Sequence, residues 1–71
     1  MSFMLYEVWA ITDEGHEELI GTTASRTEAN KMAEQTLSDF EESWILEENS
    51  AGDIKEISRL TLDENGTIIK L

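Results

Sequence analysis

The hydrophobic pattern changes period along the chain, and each period predicts an element. Over residues 3–12, aromatic and β-branched residues crowd together and stop at the turn-prone Asp13-Glu14-Gly15, which predicts a strand. With a period of two, one face carries Met4, Tyr6, Val8 and Ala10, and the other Phe3, Leu5, Glu7, Trp9 and Ile11. Both faces are apolar apart from Glu7. That suits a central strand, or one covered by a helix on one face and by a partner on the other. Residues 18–24 predict a second, weaker strand, paired with the first across the loop 13–17. Gly21 falls in its middle and points to a bulge or a close backbone approach.

A change to helical spacing follows. Ser25-Arg26-Thr27-Glu28 has the form of a capping box, in which Ser25 accepts from the Glu28 amide and Glu28 reaches back to the Ser25 amide. Ala29, Met32, Ala33, Leu37, Phe40 and Trp44 then recur at spacings of three and four, one buried stripe of a helix running to about Glu42. Trp44-Ile45-Leu46 either continues that helix or begins a third strand. Residues 49–53 form a turn by composition. Residues 54–62 fit a strand or a helix at their start, through Ile54, Ile57 and Leu60. Asn65-Gly66 predicts a type I′ hairpin that pairs Leu62 with Ile69 and Leu60 with Leu71. The expectation is an α+β single domain over residues 1–71: a small antiparallel sheet with one helix on one face, in the order β-β-α-β-β-β.

Charge changes this picture most. The chain carries a formal net charge of -11. Residues 1–53 hold thirteen acids against two bases, and residues 54–71 hold three of each. The acidic part repels nucleic acid and anionic membranes, so neither is an expected direct partner. A basic protein, or one whose own site binds nucleic acid, is the electrostatically favoured partner. Seventy-one residues bury too little surface for more than marginal stability, and without cysteine no disulfide can add to it. A homodimer is one way to gain buried area. Neither a membrane span nor a leader-like segment is evident, and a cytoplasmic location is expected.

Candidate chemistry is sparse. Most carboxylates fall in loops or on the polar margin of the helix; Glu7, inside an apolar strand, is the exception. His16 stands alone in an acidic loop beside Glu14, Glu17 and Glu18, in a spacing that matches no metal-ligand frame. Asp63-Glu64-Asn65-Gly66 brings its glycine too early for an EF-hand loop. No nucleophile elbow or phosphate-binding glycine loop is present, so no catalytic residue, cofactor or metal is expected. Trp9, with Phe3, Leu5 and Ile11, forms an apolar face in need of cover. In the strand reading Lys55 and Arg59 point the same way and Thr61, on that face, pairs with Lys70, which allows a basic face of the last hairpin to meet the acidic face of a second copy.

The function this pattern favours is a non-enzymatic protein-binding module, with Phe3, Leu5, Trp9 and Ile11 on the strand and Glu34, Asp39, Glu41 and Glu42 around the helix as binding residues. The alternative is an acidic mimic of nucleic acid that occupies the groove of a DNA- or RNA-binding protein, since carboxylates on adjacent turns or alternate strand positions lie near phosphate spacing.

Overall fold

A computed structural model describes residues 4–71; Phe3 lies outside the described residues. Five strands and one helix follow in the order β1 (Met4–Ile11), β2 (Glu17–Thr23), α1 (Arg26–Thr36), β3 (Glu42–Asn49), β4 (Ile54–Leu62) and β5 (Ile68–Lys70). The strands form one antiparallel sheet in the spatial order β2-β1-β3-β4-β5. Among the described residues no helix is long and apolar enough to cross a membrane.

α1 packs on β1, β2 and β3. It covers the face of β1 that carries Met4, Tyr6, Val8 and Ala10, because its Ala29 and Ala33, with Leu37 at its C-cap, close over Tyr6, Val8 and Ile45. Small residues let the layers approach. Ala10, Ala29, Ala33 and Ser43 are fully buried, and the Ser43 hydroxyl donates to the Ala33 carbonyl at 2.8 Å, tying sheet to helix. Gly21 serves both roles expected of it. The register against β1 jumps beside it, from Val8–Gly21 to Trp9–Leu19, leaving Ile20 as the extra residue of a bulge. A Cβ at Gly21 would stand 2.5 Å from the Cε of Met32, so only glycine lets α1 sit this low without Met32 moving.

Local structure departs from expectation in four places. The helix ends at Thr36, not near Glu42, and the amides of Ser38 and Asp39 turn to carbonyls three residues back. Phe40 and Trp44 keep the helical spacing, but Glu41 N–H already donates to the Ile11 carbonyl and Trp44 pairs with Trp9 in the sheet. Sheet pairing therefore takes residues 42–49 from the helix. At the other end, Ser25 accepts from the Glu28 amide at 3.2 Å, but the Ser25 amide is satisfied by the Thr23 hydroxyl at 3.1 Å rather than by Glu28.

The last hairpin is shifted by one residue: Leu62 pairs with Ile68 and Leu60 with Lys70. Asn65 does not take the positive φ that a type I′ turn needs; only Gly66 does, at 82°. The loop is a three-residue type I turn closed by glycine in the left-handed region. Asp63 fixes it, accepting from the amides of Asn65 and Thr67 at 2.9 Å each. The same loop joins β1 to β2 and β3 to β4. In each, a Thr, Asn or Asp is followed three residues later by a glycine with φ between 82° and 89°, and that glycine's amide donates back to the first residue's carbonyl. Thr12 and Asn49 also accept from nearby amides through their side chains.

The fourth departure concerns the bases. In β4 the register jumps between Ile45–Ser58 and Leu46–Glu56, so Ile57 is a bulge residue. A bulge reverses the alternation that follows it, so Lys55 and Arg59 fall on opposite faces. Lys70, opposite Leu60, faces away from Arg59. No single basic face forms on this hairpin.

Candidate functional site

Among the described residues, no second layer covers the face of the sheet opposite α1. Directly paired residues share a face, so the strand registers map it. Leu5, Glu7, Trp9 and Ile11 come from β1 and Glu42, Trp44, Leu46 and Glu48 from β3. β2 contributes Glu17, Leu19 and Thr22, and β4 contributes Ile54, Glu56, Arg59 and Thr61. Through its centre runs one row across four strands: Leu19, Trp9, Trp44 and Arg59.

This row shelters itself. Trp44 is only 6% exposed although no helix covers it. Trp9 stands on one side, and on the other the Arg59 guanidinium lies 4.5 Å from the Trp44 ring centroid, a cation–π contact. Two carboxylates hold Arg59 in that position. Glu56 takes the guanidinium fork through Nε at 3.1 Å and Nη2 at 2.6 Å, and Glu42 accepts from Nη1 at 2.8 Å. Hydrogen bonds from Arg59 hold the Glu56 carboxyl below its usual range, and those same bonds, Glu56's first, raise the guanidinium further. Glu7 is oriented as well, accepting from Trp9 Nε1 at 3.2 Å. Its place inside an apolar strand is explained by that indole bond on a half-open face.

The geometry separates the eight residues singled out from sequence. Leu5, Trp9, Ile11 and Glu42 share the open face. Glu34 is exposed on α1, on the other side of the sheet. Asp39 and Glu41 lie in the α1–β3 connection, where with Asp13, Ser38, Phe40, Thr61 and Leu62 they line an open hollow of about 410 Å³. Phe3 lies outside the described residues. Sequence reasoning did not place Trp44, Leu46 and Arg59 in the site, because residues 44–46 read equally as helix or strand and the β4 bulge hid the direction of Arg59. A signal was available: residues 44–46 have the composition of a strand as well as the spacing of a helix.

Two residues considered for chemistry are not brought together. His16 is exposed in the β1–β2 loop, 3.9 Å from Glu14, whereas Glu7 sits in mid-strand opposite Leu46. Among the described residues no group of three or more His, Cys, Asp and Glu side chains is placed to hold a metal. The arrangement offers instead an aromatic surface bounded by carboxylates: Glu7, Glu42 and Glu56, held by hydrogen bonds, with Glu17 and Glu48 beside them, around two indoles and one arginine already engaged. Compared with known protein families, curated proteins and solved structures, the chain finds no match.

Proposed function

We propose that the chain is a non-enzymatic protein-binding module that receives a basic protein surface on the open face of its sheet. The observation that carries this reading is the Trp9–Trp44 pair, which lies on an uncovered face between carboxylates rather than in the core under α1. Aromatic anchors bounded by charge are the anatomy of a protein interface. Among the described residues neither Glu17 nor Glu48 forms an ion pair, so a partner's lysine or arginine has acceptors to meet.

Affinity capture from host lysate tests this with wild type, Trp9→Ala and Glu48→Lys, each first shown to be folded by circular dichroism. A basic protein retained by wild type should be held at least about tenfold less by each variant, and less at high salt than at low salt. Retention that neither variant alters would remove the open face from the interaction. The nucleic-acid mimic draws its support from the same charge but makes a different demand. Its target would be displaced by duplex DNA or RNA, with steep salt dependence and no sensitivity to Trp9→Ala.

A further inference from the structure

The sheet has two edges, and they are built differently. β2 is guarded in the usual ways: Glu17 and Glu18 stand on it, and the bulge at Ile20 breaks its regularity. β5 carries no bulge and no proline, and its one charge is Lys70. Its neighbours are apolar on both faces. Ile68, Ile69 and Leu71 are 42%, 39% and 66% exposed, and Leu62 beside them is 37% exposed. α1 packs on β1, β2 and β3, and these four side chains remain exposed beyond it. Charge selects the occupant. Residues 1–53 carry the whole net charge, whereas residues 54–71 are neutral, so the β4–β5 end is where two copies meet with least repulsion.

We infer that β5 pairs antiparallel with β5 of a second copy, on a two-fold axis through Ile69, to make a continuous ten-stranded sheet. The hydrogen bonds fix this register. Leu71 N–H donates to the Arg59 carbonyl and Thr67 accepts from Asp63 N–H, so residues 67, 69 and 71 turn their backbone groups toward β4. Ile68 and Lys70 therefore turn theirs outward. With Ile69 on the axis, each Ile68 exchanges two hydrogen bonds with Lys70 of the other copy, and the two Ile69 side chains meet in a non-hydrogen-bonded pair, where side chains lie closest. An axis at Lys70 would set two ammonium groups opposite each other. Pairing about Ile69 keeps the open faces of both copies on one side, so the two tryptophan pairs share a single extended surface. The inference does not depend on what that surface binds.

Pairing over so short a strand gives an interface at the small end of the specific range, with a dissociation constant on the order of 0.1 mM. Sedimentation of the full chain from about 10 µM to about 1 mM should pass from monomer toward dimer. Added salt should strengthen the dimer, because the repulsion between two acidic bodies is screened. Ile69→Lys, at an exposed position, should weaken it at least about tenfold. The chain has no cysteine, so Ile69→Cys supplies a second readout: it should form an intermolecular disulfide at least about tenfold faster than Leu19→Cys on the guarded edge. A monomer throughout the range would leave this edge to a strand from a different protein and overturn the inference. So would a dimer that survives Ile69→Lys, one that dissociates in salt, or equal cross-linking of the two cysteine variants.

Discussion

The face of the sheet beneath α1 is brought close to the helix by small residues set among larger apolar ones, and the open face carries two indoles and a guanidinium with nothing packed on them among the described residues. Under the helix, Val8, Ala10, Ala29, Ala33, Ser43 and Ile45 are fully buried, and Gly21 lets Met32 descend. On the open face, Trp9, Trp44, Leu46 and Arg59 stand with no layer above them. Burial on the first face comes from a second element, and close approach requires small residues. Burial on the second comes from the side chains themselves. Trp44 reaches 6% exposure through a neighbouring indole and a guanidinium clamped by two carboxylates. A small chain thus has one core held by the hydrophobic effect and one surface held in shape by charge. The first should be sensitive to lost volume and indifferent to salt or acid; the second should be the reverse.

The largest expected effect lies on the helix face. Ile45→Ala removes a fully buried side chain from the centre of the core and should cost about 2–4 kcal/mol, measured by urea denaturation. That is a large share of the stability of so small a domain. A loss no larger than that from open-face substitutions would erase the difference between the faces.

On the open face, Arg59→Met keeps volume but removes the fork to Glu56, the bond to Glu42 and the cation over Trp44. It should cost about 1 kcal/mol, because the ion pairs are partly exposed, and should shift Trp44 emission to longer wavelength. Arg59→Lys should not restore the emission, since an ammonium cannot span both carboxylates in one plane. An unchanged spectrum in both variants would show that Trp44 is sheltered by packing alone, as on the helix face.

The smallest effect is that of acid. Glu56 has its carboxyl pKa lowered from the ordinary 4.5 by Arg59. Its stabilising contribution is therefore complete above the ordinary value and is lost as pH falls through the lower, folded-state value. With Glu56 half exposed, the difference between wild type and Glu56→Gln should be a few tenths of a kcal/mol near neutral pH. It should shrink toward zero in thermal melts as pH falls below about 4. Ile45→Ala should show no such convergence.

Much of the fold was legible because it is local. The alternation at residues 4–11, the Ser25 hydroxyl capping the Glu28 amide and the Ala29–Ala33–Leu37 part of the stripe are governed by neighbours in sequence and stand as read; the reciprocal half of the capping box and the stripe beyond Leu37 do not. The three glycine turns were legible too, but from the residue three positions before each glycine rather than from the Asn65-Gly66 pair alone. Asp63 binds two amides that a type I′ turn would leave elsewhere, and this outweighs the preference of Asn-Gly. The candidate site was half legible. The first strand showed an apolar face with Trp9 on it, but its other members come from strands whose facing depends on bulges at Ile20 and Ile57. A period-of-two reading carries Lys55 and Arg59 to one side, and one inserted residue parts them.

By itself the sequence determined the first two strands, the start of the helix and its cap, the turn positions and the division between an acidic body and a neutral end. Each rests on side-chain chemistry within a few residues, or on a sum over them. Only the tertiary structure decided where the helix yields to β3, which face of β1 is covered, and that Trp9, Trp44 and Arg59 share one row. Those outcomes are settled by competition among partners distant in sequence. Residues 42–49 can continue a helical stripe or fill the central gap of a sheet beside β1, and the sheet prevails because it satisfies backbone groups on both sides and buries Ile45 completely.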